Sequence, residues 1–382
     1  MGSPNVRRRR RLRLALITFA AVFLLLSGGL LGFGWYYSGQ LLDPVNARPG
    51  YRDTVTSSAS GTVSLAESRV TVLPGTWGLV WPGGGAKVGP VTQRSEGTVV
   101  RELQGMAPAD GTRVRMETSV WSTDPATAHD LEFTDVRIPT ELGDAPAWLV
   151  PATSSSTWVV AVHGRGGTRA EALRVMPALH ALGLPVLAVT YRNDEGAPRS
   201  PDGLYHLGDT EWRDVEAAVR YAREHGAHQV VLYGWSMGGA IVGQFLGRSA
   251  EVDDVAAVVL DAPVVSWTRT LELQSRNRNV PEQLVPIAEL VSDWRVDLDF
   301  DRFDLRANPP PRKPPTLLFH GDADGTVPVQ ASRDLAAAAD RLGWPLRYVE
   351  VPAAEHTAAW NVDPETYEQA LTEFLRSVDG VR

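Results

Sequence analysis

The sequence predicts an α/β fold: a mostly parallel central sheet with helices on both faces, preceded by a β-rich segment and an N-terminal apolar helix. Three observations predict it. From about residue 131 onward, short apolar runs alternate with longer runs of helical period, the pattern of strand–helix–strand units. Between residues 43 and 128, Gly, Thr, Val, Ser and Pro dominate, and no long helical period occurs. Before that, 29 consecutive positions, Leu14–Leu42, carry no charge. At 382 residues, 43% hydrophobic and 21% charged, the chain is neither disordered nor collagenous. It has no cysteine, which excludes thiolate zinc sites, iron–sulfur clusters and a cysteine nucleophile.

Taken in order, residues 1–13 form a basic arm with Arg7, Arg8, Arg9, Arg10, Arg11 and Arg13 and no acid. Residues 14–37 follow as a transmembrane anchor, because about 20 apolar residues span a bilayer as a helix. Arginines before the span stay cytoplasmic, and Trp35, Tyr36 and Tyr37 fall at the far interface. The expected topology is single-pass, with the N-terminus cytoplasmic and the body outside the cell membrane. The alternative is a secreted protein, cleaved at the loose signal-like site Val45-Asn46-Ala47. Without the arm the chain carries 31 basic against 45 acidic residues, a poor partner for nucleic acid.

Residues 43–128 read as short strands, including Thr62–Leu65, Ser68–Leu73 and Arg113–Val120. Trp81-Pro82-Gly83-Gly84-Gly85 is a turn, and Trp77, Trp81 and Trp121 are packing residues. Residues 129–382 open with a hairpin over 131–139 and 145–152. Strands are expected at Trp158–Val162, Val186–Val189, Val230–Tyr233, Ala256–Leu260, Thr316–Phe319 and Leu346–Val351. Helices are expected at Arg169–Leu182, Glu211–Glu224, Met237–Leu246, Ser332–Leu342 and Glu365–Val378. An insertion at about 266–313, with Leu271, Leu284, Ile287, Leu290 and Trp294, is either a cap over the site or a surface excursion packed elsewhere.

In parallel sheets, ligands bind beyond the carboxyl ends of the strands, and the chemistry stands there. Gly234-Trp235-Ser236-Met237-Gly238-Gly239 places G-x-S-x-G between a strand and a helix. Such a turn presents a serine hydroxyl beside a helix N-terminus that favours negative charge. His163-Gly164-Arg165-Gly166-Gly167 follows another strand. A glycine-rich loop there lets a backbone N–H face the reaction centre; with the N–H of Met237, that of Arg165 would make an oxyanion hole. His163 reads as a loop-bracing residue. A serine needs a base, and the base an orienting carboxylate; Asp324 and His356 follow the last two strands in the order Ser236, Asp324, His356. His225 and His228 lack a third ligand, so no metal site is expected, nor any cofactor.

These four motifs, each after a strand, resemble the α/β-hydrolase fold family of serine hydrolases over residues 131–380. The resemblance implies Ser236 as nucleophile and His356 as general base. Its HG-x-x-D pattern puts the triad acid at Asp324, with Asp322 in a structural role. Gly164, Gly234, Gly238 and Gly239 would support the loops. It implies hydrolysis of a small or lipid-like ester or thioester through an acyl-serine. A prolyl-oligopeptidase-like peptidase is the alternative, although the roughly 90 residues ahead of the domain cannot hold a propeller of 40-residue blades. A non-catalytic surface-binding protein on the same scaffold is a third reading.

Overall fold

A computed structural model describes residues 4–44, 50–152 and 156–381; the signal-like site Val45-Asn46-Ala47 lies outside the described residues. Its first helix, α1 (Pro4–Leu42), contains a segment, Arg11–Leu42, long and apolar enough to cross a membrane. From Leu12 to Leu31 it is almost wholly unburied, about 30 Å at 1.5 Å per residue. Its end behaves differently. Gly34, Ser38 and Leu42 recur on one side and are buried, and Leu42 sits in the main core.

The β-rich segment closes on itself. Strands β1 (Asp53–Ala59), β2 (Thr62–Ala66), β3 (Trp77–Trp81), β4 (Gly84–Ser95), β5 (Thr98–Gly105) and β6 (Arg113–Glu117) form an antiparallel barrel in the order β1-β2-β5-β4-β3-β6. Closure leaves no free sheet edge. Val55, Leu65, Trp77, Leu79, Trp81 and Val99 fill the interior. Two expectations are corrected here. Ser68–Leu73 is not a strand but a turn: the Thr71 hydroxyl accepts from the Ser68 N–H and donates to the Ala66 carbonyl, replacing ladder bonds. The glycine turn is also narrower, because only Pro82 and Gly83 lie between β3 and β4, and Gly84 and Gly85 already pair.

After the short α2 (Pro125–His129) comes an eight-stranded sheet: β7 (Thr134–Thr140), β8 (Gly143–Val150), β9 (Thr157–Val162), β10 (Val186–Val189), β11 (Gln229–Trp235), β12 (Val255–Asp261), β13 (Thr316–Gly321) and β14 (Leu346–Val351). Their order is β14-β13-β12-β11-β9-β10-β8-β7; the opening hairpin pairs antiparallel, and β10 through β14 join in parallel. One face packs on α4 (Trp212–Glu224), α5 (Met237–Arg248) and α8 (Val329–Leu342), the other on α3 (Met176–Ala181), α9 (Ala359–Val362) and α10 (Pro364–Ser377). In β9, Trp158, Val160 and Val162 enter the first core and Val159 and Ala161 the second, so the strand is apolar throughout. The helix expected over Arg169–Leu182 is broken: Arg169–Arg174 is a 3₁₀ turn, and α3 begins at Met176 with Pro177, which has no N–H to continue the ladder. The insertion folds as α6 (Trp267–Asn277) and α7 (Val285–Val296).

Candidate active site

Chain order reverses at β9, which lies between β10 and β11, and ligand crevices form at such a switch point. Ser236 follows β11 there. Its φ of +50° and ψ of −115° lie where non-glycine residues are strained, at a cost of order 1–3 kcal/mol. Backbone bonds hold it: its N–H donates to the Asp261 carbonyl, and its carbonyl accepts from Gly239 and Val264, all at 3.0 Å. Gly238 is there because a Cβ would lie 2.2 Å from the Val162 carbonyl oxygen, so only glycine lets α5 approach β9 this closely.

The structure brings Ser236, His356 and Asp324 together from three strand ends. Ser236 Oγ is 2.8 Å from His356 Nε2, and His356 Nδ1 is 2.7 Å from Asp324 Oδ2. Asp324 is buried; its Oδ1 accepts the N–H groups of Thr326 and Val327, and its Oδ2 also lies 3.1 Å from His320 Nε2. Burial alone would raise its pKa, but the charges and bonds of His356 and His320 hold the carboxyl well below the usual range. Burial pushes the His356 imidazole down, and the Asp324 charge and bond outweigh it, leaving it above the ordinary value. Asp322 is exposed, and its Oδ1 accepts the Ala353 N–H, a turn bond away from the histidine.

A Cβ on Gly164 would lie 3.1 Å from Ser236 Cβ, so the loop after β9 runs directly against Ser236. Met237 opens α5, where first-turn N–H groups lack helical partners. His163 stacks on Tyr191, and its Nε2 is 2.9 Å from Asp194. Burial opposes its protonation, but the Asp194 charge raises its pKa overall. The Arg165 side chain does something sequence reasoning missed. Its guanidinium donates to the carbonyls of Leu41 at 3.0 Å and Gln40 at 2.8 Å, the end of α1.

Two further groups were missed. Buried Glu171 accepts the Gly164 N–H at 2.8 Å and pairs with buried Arg174. Arg174 in turn donates to the Thr357 carbonyl and to Asn361 Oδ1, so the pair ties the Gly164 loop to the His356 loop. The signal was an acid and a base three apart among Ala and Leu. The barrel meets the same histidine loop: Ala358 lies in the barrel core, Asn361 Nδ2 donates to the carbonyls of Thr76 and Thr118, and Arg69 pairs with Glu355. Among the described residues, no group of three His, Asp or Glu could hold a metal ion, and His225 is exposed, its Nδ1 against the Tyr221 carbonyl.

Fold and strand-end geometry define the chain as an α/β-hydrolase. It belongs to the prolyl oligopeptidase family, whose profile matches residues 178–380, just over half of the sequence and all of the Ser236, Asp324 and His356 segments. A second profile, a domain of unknown function (DUF8805), matches residues 54–117, the barrel. The chain is 25% identical over 261 residues to the uncharacterized protein YfhR of Escherichia coli, spanning 68% of this chain and 84% of that one. It is 29% identical over 235 residues to the uncharacterized protein Rv2307c of Mycobacterium tuberculosis, spanning 60% and 73%. Among solved structures, it shares its fold with the Pyrococcus furiosus esterase Pf2001 (TM-score 0.54, 22% identity, 68% of this chain and 95% of that one). It also shares it with an esterase of the bacterial hormone-sensitive lipase family (TM-score 0.50, 17% identity, 67% and 85%).

Proposed function

We propose that the protein is a membrane-anchored serine hydrolase of carboxylic esters or thioesters. The observation that carries this reading is the continuous chain from Ser236 Oγ through His356 to Asp324, with links of 2.8 and 2.7 Å. Ser236 attacks the carbonyl carbon while His356 Nε2 takes its proton. Asp324 keeps the other imidazole proton on Nδ1 and stabilises the imidazolium. The N–H groups of Met237 and Arg165 receive the developing oxyanion. His356 then protonates the leaving alcohol or thiol, activates a water, and returns the proton to Ser236 as the acid departs. Fluorophosphonate labelling of the folded chain tests this: labelling lost in Ser236→Ala is expected, and an unlabelled wild type would favour a non-catalytic binding protein.

Family membership favours a second reading, peptide hydrolysis. What precedes the sheet here is a six-stranded barrel of residues 53–117 rather than propeller blades. A panel of nitrophenyl esters of graded chain length beside peptide anilides separates the two, with esters expected to be cleaved faster.

Retention of α1 is supported by its end being part of the folded body. Cleavage near residue 47 would take Leu42 out of the main core and strip the Arg165 guanidinium of its carbonyl partners. The arginines before the span support a topology with the N-terminus in the cytoplasm and the body outside. Fractionation should find the intact chain in membranes; a free protein beginning near residue 48 would overturn the anchor.

A further inference from the structure

Outside α1, two of the most exposed large apolar side chains are Leu290 (65%) and Trp294 (76%). They stand one turn apart on α7, in line with exposed Pro286, as one stripe. The neighbouring face of α7 packs on the end of α1. A Cβ at Gly34 would lie 2.6 Å from Val291 Cγ2, and Arg295 Nη1 is 3.0 Å from Ser38 Oγ. The small residues Gly34 and Ser38, four apart, let the helices approach closely. Trp35 and Trp294 meet edge to face at 6.2 Å, and the Arg295 guanidinium lies 4.5 Å over Trp35. Trp35 and Tyr36 are themselves more than half exposed. The apolar stripe of α7 therefore lies at the level where α1 leaves its unburied length.

We propose that α7 is a second membrane contact, with Leu290 and Trp294 entering the interface of the same leaflet from which α1 emerges. This rests on the anchor reading above. Continuity with the span selects the occupant, because aromatic and apolar side chains beside a span's end partition into that interface. Asp293 and Asp297 are exposed on the flanks of the stripe, and Arg295 is already engaged by Ser38 and Trp35, so the fitting surface is zwitterionic rather than strongly anionic. The contact reaches the site through α6, whose Gln274 and Asn277 donate to the carbonyls of Gly325 and Thr326 beside Asp324.

The absence of native cysteine makes single-cysteine labelling clean. Leu290→Cys, Trp294→Cys, Phe23→Cys and Met106→Cys, each in the full chain, take a nitrobenzoxadiazole label and are reconstituted in phosphatidylcholine vesicles. Doxyl-labelled phosphatidylcholine should dim the labels at 290, 294 and 23 by at least about twofold and leave that at 106 on the barrel unchanged. Quenching at 23 but not at 290 and 294 overturns the α7 contact and leaves the anchor standing. No quenching at 23 overturns the anchor, and the proposal with it. Labels at 290 and 294 that resist both iodide and doxyl lipid, together with cross-linking between them, would instead make this face a contact between copies.

Discussion

Asp324→Asn has an outcome that follows from how the carboxylate is held. Its two oxygens are unequal. Oδ1 accepts two backbone N–H groups, from Thr326 at 2.7 Å and Val327 at 2.8 Å, while Oδ2 faces the histidines. An amide nitrogen at the Oδ1 position would confront two donors, so the amide oxygen must stay there. The NH₂ then takes the Oδ2 position and donates to His356 Nδ1. That forces the histidine proton onto Nε2, and the tautomer can no longer accept from Ser236. Turnover should fall by about 10⁴, or roughly 5 kcal/mol of barrier. Both turn bonds survive, so the fold should survive. Asp322→Asn removes a charge from an exposed turn and keeps an acceptor for Ala353, so turnover should stay within about twofold. Nitrophenyl ester kcat/KM and melting temperatures of both variants check this. A folded Asp324→Asn within tenfold of wild type, or an inactive Asp322→Asn, would refute the reasoning.

Three other outcomes are expected. His356 must be neutral to act as base, and Asp324 holds its pKa above the ordinary value; kcat/KM should therefore fall with decreasing pH through a midpoint above about 6.5, and a limb at or below that value counts against the pairing. Burial keeps Asp261 protonated up to about 6, so the folded state binds a proton that the unfolded chain releases near 4. Stability then falls as pH rises across that window and stays lost above it; Asp261→Asn, still able to accept from Tyr367, should raise Tm more at pH 8 than at pH 4, and a pH-independent difference would contradict this. Of the two ion pairs beside His356, exposed Arg69–Glu355 should matter little, with Arg69→Ala costing under about 1 kcal/mol, whereas Arg174→Met strands buried Glu171 and should cost about 3–5 kcal/mol in urea unfolding.

The inner strands of the parallel sheet were legible because they are buried on both faces and read as largely apolar runs, as Trp158–Val162 does. Ser236 and Asp324 were legible because each follows such a run; His356 follows the edge strand β14, which Arg347 and Glu350 interrupt, and was legible from the order of the motifs. The barrel was only half legible. Strands such as β4 face the interior with few residues and carry Gly, Lys, Thr and Gln elsewhere, so no alternation stands out over its length. In Ser68–Leu73 the alternation was present, but local side-chain bonds won over the ladder. The Arg165 clamp was invisible for another reason: a cation in a glycine loop gives no hint that its partners are carbonyls more than 120 residues earlier.

Those long-range partners link the site to segments that its own sheet does not need. Three loops of the site are each held in part by a different accessory element. Arg165 joins the Gly164 loop to the end of α1, Gln274 and Asn277 of the insertion hold the Asp324 turn, and the barrel holds the His356 loop through Ala358 and Asn361. Only the Ser236 turn is fixed within the sheet itself, by β12 and the glycines of α5. Anything that moves α1 and the insertion together, as a shared lipid surface would, therefore acts on the Gly164 loop and the Asp324 turn at once. Because Glu171 and Arg174 tie the Gly164 loop to the His356 loop, and Asp324 is bonded to His356, such a movement would also reach the histidine.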